Sequence, residues 1–284
     1  MNALLLFICC GCFENRTDPF FFCSFFDNCI KTRVFSFSIH VYFHIVFSTY
    51  FTFLQPIGED VCYYRTPHGK SSGGGGGSQG VNAKSMYALS FVYTFQSDGD
   101  NVYFAYNYPY TFSRLQRLIH RLELDPVRQK VFRRRLLCKT LSGNACDVLT
   151  VTAPIKNQAE LSRRKVVIVS SRVHPGETVA SWMMHGLIDF ITGSSPAACE
   201  LREKIIFKLI PMLNPDGVIN GNYRCSLAGI DLNRRWDRPS RIWHPTIWHT
   251  KQLIKQFNLP PNAGRVLAYI DLHGHSRKKN VFIY

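Results

Sequence analysis

The spacing of hydrophobic positions changes along the chain, and each change predicts a different element. Aromatic and β-branched residues fill 87–95 and 101–112 on either side of a polar turn, which predicts a β-hairpin. Over 113–124 the apolar residues recur every three or four positions, which predicts an amphipathic helix. The segments 134–141 and 147–153, joined by a short Ser-Gly-Asn turn, predict a second hairpin.

The stretch 165–173 is rich in β-branched residues and predicts a buried strand of a sheet covered on both faces, and the apolar stretch 265–273 predicts a second strand in the same setting. His174 follows the first strand, and Glu177 opens a helix that extends to about Ile191. The second strand ends at His273. Functional groups gather at the carboxyl ends of strands in α/β sheets, so we expect these three side chains to meet.

Two histidines and one carboxylate suggest a catalytic zinc site, because three protein ligands leave a fourth position open. An isolated His-x-x-Glu is more often part of an ordinary turn, so a zinc site is indicated only if other motifs in the sequence support it. Four motifs follow in order: HPGE at 174–177, NPDGV at 214–218, DLNR at 231–234 and DLHGHS at 271–276. This series resembles the zinc carboxypeptidases of the M14 type. More narrowly, it resembles the cytosolic carboxypeptidase (Nna1-like) subfamily, which trims glutamates from tubulin and other proteins.

The resemblance extends from about residue 58 to the last residue and implies an α/β fold. We expect a mixed-sheet zinc carboxypeptidase domain over 113–284, preceded by a small β-sandwich over 55–112. One Zn²⁺ per chain would be held by His174, Glu177 and His273. Asn233 and Arg234 would bind the substrate's terminal carboxylate, a role that suits an amide donor beside a planar guanidinium fork.

Arg224 is the candidate for polarising the scissile carbonyl, with an ordinary surface arginine as the alternative. In the family, the general base is a glutamate well beyond the third ligand, and no residue before Tyr284 matches it. We therefore expect a truncated, inactive carboxypeptidase. Two alternatives stay open: a non-catalytic module that binds acidic tails, and a related zinc deacylase or amidase with the same ligand pattern. The DLNR motif favours the peptidase.

The net charge of +15 means that the protein attracts polyanions. Acidic or polyglutamylated protein tails, tubulin's among them, are the expected partners. The sequence contains no helix-turn-helix, RNA-recognition or zinc-finger signature, so we expect no nucleic acid partner.

Residues 1–54 are crowded with Phe, Ser and Cys, and nothing in them resembles the family. We treat them as an extension of unknown status, either a divergent segment or a gene-model artefact. The uncharged stretch 34–54 is long enough to cross a bilayer, but its histidines and hydroxyls argue against a membrane anchor. Cysteines in the family-like region show no paired spacing and no secretion signal is clear, so we expect a cytoplasmic protein without a disulfide framework.

Overall fold

The computed structural model describes residues 4–11, 32–37, 44–47, 53–55, 59–65, 87–95, 102–105, 107–260, 264–275 and 281–283. These residues belong to two compact units. The smaller unit contains the strands between residues 32 and 105. The larger unit contains the strand Leu4–Gly11 and the described residues from Tyr110 onward.

The smaller unit is built from strands alone in its described part. They are β2 (Thr32–Phe37), β3 (His44–Phe47), β4 (Phe53–Gln55), β5 (Glu59–Arg65), β6 (Tyr87–Thr94) and β7 (Val102–Ala105). These strands form two antiparallel three-stranded sheets, in the order β2-β6-β5 and β4-β3-β7. The β-sandwich arrangement stays a prediction. Strands β2 and β3, and the first two residues of β4, come from the region that the sequence left without an assignment.

The predicted hairpin between residues 87–95 and 101–112 is wrong. β6 pairs with β2 along one edge and with β5 along the other, whereas β7 pairs with β3 in the second sheet. A strand has two edges, so β6 has none left for β7. The alternation of side chains shows that a segment is a strand, but it does not show which neighbour the strand will choose. In the described part of the chain, no helix is both long enough and apolar enough to cross a membrane.

The larger unit contains a seven-stranded mixed sheet in the order β13-β1-β12-β10-β11-β9-β8. Its strands are β1 (Leu4–Gly11), β8 (Phe132–Lys139), β9 (Ala145–Val151), β10 (Lys165–Ser171), β11 (Ile205–Ile210), β12 (Val266–His275) and β13 (Val281–Ile283). Strands β1, β12, β10 and β11 run parallel, and the outer pairings are antiparallel. The predicted hairpin β8–β9 and the expected mixed α/β fold are confirmed.

Six α-helices accompany this sheet in the described residues. They are α1 (Phe112–Leu124), α2 (Gln158–Arg163), α3 (Thr178–Thr192), α4 (Pro196–Lys204), α5 (Pro215–Ile219) and α6 (Pro245–Asn258). A short 3₁₀ turn covers Leu232–Arg234. The amphipathic helix expected at 113–124 is α1, and the helix expected after Glu177 is α3.

The central strand β10 is buried on both faces. Val167 and Val169 pack into a cluster with the apolar residues of α1 and α3. Val166 and Ile168 point to the other side, where they share a cluster with Ile247 of α6. Successive side chains of a strand alternate between faces, so a continuous apolar strand needs a helix layer on each side.

Strand β1 is an addition that the sequence did not indicate. It pairs in parallel with β12, and the Cα atoms of Cys9 and His273 are partners in the register. Residues 4–11 therefore extend the sheet beside the strand that carries the third proposed ligand.

Candidate functional site

Two neighbouring parallel strands bring the three predicted ligands together. β10 and β12 are paired up to Ser171 and Leu272, so their carboxyl ends lie side by side. Nδ1 of His174 lies 2.7 Å from Oε1 of Glu177, and Nδ1 of His273 lies 3.0 Å from Oε2 of the same carboxylate. One ligand atom from each residue lies within 4.8 Å of the other two.

Each histidine also contacts a second carboxylate through its other ring nitrogen. Nε2 of His174 lies 3.2 Å from Oδ1 of Asp231, and Nε2 of His273 lies 2.7 Å from Oδ2 of Asp271. In both rings this leaves Nδ1 facing Glu177. Carboxylates placed in this way fix the orientation and tautomer of metal-binding histidines and make them stronger ligands.

The charges at the centre suit a divalent cation. Burial alone would raise the pKa of Glu177, but its hydrogen bonds with His174 and His273 hold that pKa at about 2. Burial alone would lower the pKa of His273, but Asp271 and Glu177 raise it to about 11. The proton that the His273 ring holds next to Glu177 occupies the position that a cation would take. Metal binding must therefore displace this proton. The donor set of two imidazoles and one carboxylate fits Zn²⁺.

The NPDG motif supports the turn that carries the first two predicted ligands. Nδ2 of Asn214 donates to the carbonyl of Val173, the residue before His174, at 3.2 Å. A Cβ on Gly217 would lie 2.3 Å from Cγ of Pro175, so only glycine allows the two motifs to approach this closely.

Asp216 of the same motif holds the β8–β9 turn. Its carboxylate accepts hydrogen bonds from the Thr140 hydroxyl at 2.5 Å, the Ser142 backbone N–H at 3.1 Å and the Asn144 amide at 2.8 Å. The motif thus anchors the hairpin next to the turn that carries His174.

Asp231 connects His174, a predicted metal ligand, to the predicted substrate residues. Its Oδ2 accepts from Nε of Arg224 at 2.8 Å, and its Oδ1 accepts from the backbone N–H of Asn233 at 2.9 Å. Burial alone would raise the pKa of Asp231, but the hydrogen bond with His174 and the charge of Arg224 lower that pKa below its usual range. One carboxylate therefore joins three residues that the sequence had assigned to different roles.

The amide of Asn233 has a defined orientation. Nε1 of Trp236 can only donate, and it lies 2.9 Å from Oδ1 of Asn233, so the amide oxygen must face the indole. Within the described residues, Nδ2 makes no hydrogen bond and remains a donor for a ligand. Arg234 is exposed, and its Nη1 lies 3.4 Å from the carbonyl of Asn233.

The side chain of Arg224 is 42% exposed. Its Nε is held by Asp231, and within the described part of the chain its two Nη groups make no hydrogen bond. Asp231 thus fixes the orientation of the guanidinium through Nε, and the two Nη groups are available to a ligand. His275 is partly buried, and its ring meets that of Phe282 edge-on at 5.1 Å.

Sequence reasoning missed the supporting residues Asp231, Asp271 and Trp236. Asp271 stands two positions before His273 on one strand, so the alternation of faces alone could have found it. The contact of Asp231 with His174 gave no comparable signal, because an irregular loop brings these distant residues together. Trp236 lies outside the four motifs, although it is only three positions from Asn233.

Comparisons with known proteins agree with this geometry. Residues 128–280 match the zinc carboxypeptidase family. The chain is 50% identical over 234 residues to cytosolic carboxypeptidase 1 of Xenopus laevis, covering 80% of this chain and 19% of the relative. It is 49% identical over 203 residues to cytosolic carboxypeptidase 2 of Danio rerio, covering 72% of this chain and 28% of the relative.

Solved structures resemble the same part of the molecule. A metallo-carboxypeptidase from Burkholderia cenocepacia superposes with a TM-score of 0.57 at 26% identity, covering 70% of this chain and 49% of that one. A metallo-carboxypeptidase from Pseudomonas aeruginosa gives a TM-score of 0.54 at 28% identity, covering 69% and 47%. The chain therefore belongs to the M14 family of zinc carboxypeptidases, in its cytosolic carboxypeptidase branch. It spans 19% of the length of cytosolic carboxypeptidase 1 from Xenopus laevis.

Proposed function

We propose that this chain is the metal-binding and carboxylate-binding part of a zinc metallocarboxypeptidase that removes glutamates from acidic protein tails. The glutamates would be C-terminal or linked through side chains, and tubulin is the proposed substrate. The observation that carries the proposal is the position of Asp231, which contacts His174, Arg224 and Asn233 at once. The metal site and the proposed peptide-end site are thereby joined through one side chain.

Each proposed role follows from the donors that these side chains present. His174, Glu177 and His273 would hold a zinc ion, which would act as a Lewis acid towards the scissile carbonyl. The free Nδ2 of Asn233 and the guanidinium of Arg234 bind the terminal carboxylate of the peptide. The available Nη groups of Arg224 stabilise the negative charge that develops on the scissile carbonyl oxygen.

Acidic tails match the charge of the protein. The exposed side chains that follow the DLNR motif include Arg235, Arg238 and Arg241, and the net charge of the chain is +15. A cationic surface beside the site raises the encounter rate with an acidic peptide. The choice of tubulin rests on the resemblance to the cytosolic carboxypeptidases, and we propose neither a nucleic acid nor a membrane as partner.

We assign no general base within residues 1–284 and propose that the chain on its own binds acidic peptide ends without cleaving them. A positioned base contributes roughly 10² to 10⁴ in rate. Glutamate release from a polyglutamate-tailed peptide by the zinc-loaded chain should therefore fall below the usual enzymatic rate by at least this factor. Turnover of about 1 s⁻¹ or faster, within the normal enzymatic range, would show that a base is present.

We also propose that the protein works in the cytosol. Its relatives are named for that compartment, and five cysteines are free thiols, namely Cys62, Cys138, Cys146, Cys199 and Cys225. Reduced thiols are the rule in the cytosol. Fractionation of cells that make the protein tests this: recovery in the secretory or membrane fractions would contradict it.

The peptide-end site is tested by blocking the chain end of the ligand. Amidating a glutamate-rich peptide removes a charge-assisted contact of about 1.5 to 3 kcal/mol, so we expect a loss of affinity of roughly tenfold to hundredfold at fixed ionic strength. Arg234→Lys keeps the charge but loses the fork and should erase most of this difference. Trp236→Phe removes the donor that orients Asn233, so it should reduce the difference in affinity between the free-acid and the amidated peptide.

Arg238→Lys is the matched control, because this neighbouring arginine is exposed and pairs with Asp237 outside the proposed clamp. It should discriminate between the two peptides as the unmodified chain does. A surface that is merely basic would bind both peptides with similar affinity, and both affinities would fall together as the salt concentration increases. That result would favour a simple acidic-tail binding module over the exopeptidase site.

A further inference from the structure

Arg172 has a backbone conformation that its residue type disfavours. It lies between the end of β10 and His174, with a φ of +58°. This left-handed region is disfavoured for residues with a Cβ, and glycine is the usual occupant. Such conformations persist where the surrounding structure enforces them, and they are concentrated at functional sites. A large charged side chain at this position therefore requires an explanation.

The side chain is also buried, with only 2% of the residue exposed. Burying a guanidinium is unfavourable unless its N–H groups have acceptors. Nε donates to the carbonyl of Pro175 at 2.8 Å, and Nη1 donates to the Ser181 hydroxyl at 2.8 Å and the Tyr110 carbonyl at 3.2 Å. The guanidinium thus ties the loop before His174 to helix α3.

The contact with Pro175 is the informative one, because Pro175 lies between the ligands His174 and Glu177. The peptide group that joins Pro175 to Gly176 is held on both sides. Its carbonyl accepts from Arg172, and its N–H donates to the carbonyl of Tyr223 at 2.6 Å. A Cβ on Gly176 would lie 2.5 Å from the Tyr223 ring, so this peptide has little room to turn.

We propose that Arg172 is a positioning residue for the metal centre: by fixing the Pro175–Gly176 peptide, it sets the separation and direction of His174 and Glu177. Residues that orient metal ligands typically change metal affinity by about 10- to 100-fold when they are replaced. This inference rests on the zinc binding proposed above.

The test compares zinc affinity in variants of the whole chain, measured by competition with a chromogenic chelator. Arg172→Lys keeps the charge but cannot hold several acceptors in one plane. Arg172→Gly removes the guanidinium while relieving the backbone strain. Both should bind zinc about tenfold more weakly or worse. The visible absorption bands of the Co²⁺-substituted protein should also change, since they report the geometry of the ligands.

A matched control separates positioning from stability. Arg202 is another buried arginine, and it donates to the carbonyls of Ile191 and Gly193, both at 2.7 Å. Arg202→Lys should lower the melting temperature without changing zinc affinity or the cobalt spectrum. Ser181→Ala, which removes one acceptor of Arg172, is the milder variant if the Arg172 variants do not fold; it should weaken zinc binding measurably.

The outcomes separate the two hypotheses. Unchanged zinc affinity and an unchanged cobalt spectrum in the folded Arg172 or Ser181 variants would overturn the positioning role alone. The same loss of affinity in Arg202→Lys would also overturn it, because the effect would then be one of general stability. Failure of the unmodified chain to bind zinc would overturn both this role and the proposed metal function.

Discussion

Nε2 of His273 lies 2.7 Å from Oδ2 of Asp271, which stands two residues earlier on the same strand. The other oxygen of Asp271 accepts a hydrogen bond from the Ser170 hydroxyl at 2.6 Å, so a residue of the neighbouring strand β10 also holds the carboxylate in place. Asp271 itself is buried, with 1% of the residue exposed. The carboxylate is therefore a fixed partner for the imidazole and not a mobile surface group.

The first prediction concerns this pair. Asp271→Asn keeps the shape of the side chain but removes the charge that makes His273 a strong ligand. We expect zinc affinity to fall by about 10- to 100-fold. Chelator competition measures the change. The control is Asp147→Asn, which alters another buried aspartate, one that is paired with Arg134 at 2.8 Å in the β8–β9 hairpin. It should cost stability and leave zinc affinity unchanged; equal effects of the two variants would refute the role of Asp271.

The second prediction concerns the ligands themselves. His174→Ala and His273→Ala each remove one of three ligands, and we expect both purified variants to lose zinc. His275→Ala should largely keep it, because the ring of His275 packs against Phe282. Elemental analysis gives the amount of metal per chain. Equal loss of zinc in all three variants would contradict the ligand assignment.

The third prediction contrasts two glycines. Alanine at Gly217 would place a Cβ 2.3 Å from Cγ of Pro175, so it should destabilise the fold by about 1–3 kcal/mol. Alanine at Gly186, inside α3, meets no atom within 4 Å and should stabilise it by about 0.5–1 kcal/mol. Urea unfolding gives both free energies. A neutral or stabilising effect of Gly217→Ala would mean that the two motifs do not pack this closely.

The fourth prediction is a pH dependence of stability at Lys208. Burial, together with the charge of Arg135, lowers the pKa of this ammonium group from 10.5 to about 8. Below pH 8 both folded and unfolded chains carry the proton, and the folded chain bears the full cost of burying it. As pH rises from 8 to 10.5, the folded chain releases its proton first and the cost disappears.

Lys208→Met should therefore raise the free energy of unfolding at pH 7 by about 1–3 kcal/mol. The lost hydrogen bond from Nζ of Lys208 to the Thr150 hydroxyl, at 2.8 Å, keeps the gain below the full value of the pKa shift. The advantage of the variant should shrink towards pH 10.5. Urea unfolding at several pH values measures it, with the exposed Lys130→Met as control. If the difference in free energy of unfolding between Lys208→Met and the unmodified chain did not depend on pH, Lys208 would have an ordinary pKa.

The sequence predicted the sheet of the larger unit better than the strands of the smaller unit. Residues 166–169 are continuously apolar, and a strand with such a run fits only the interior of a sheet covered on both faces, so the local sequence was enough to place it. The sequence predicted β6 as a strand equally clearly, but it did not predict that β2 and β5 would be the partners of β6. Pairing depends on which edges remain free, and that is a property of the whole sheet.

The choice of His174, Glu177 and His273 as proposed metal ligands came from the sequence alone, because residue type, strand end and motif order all indicated them. The residues that support these side chains became visible only in the folded structure. The contacts of Asp231 with His174, and of Arg172 with Pro175, depend on the path of irregular loops, which no periodic pattern encodes. The same holds for β1, whose place beside β12 depends on a sheet edge more than 250 residues away in sequence. Local patterns select elements and ligand types, whereas long-range packing selects the partners that hold them in place.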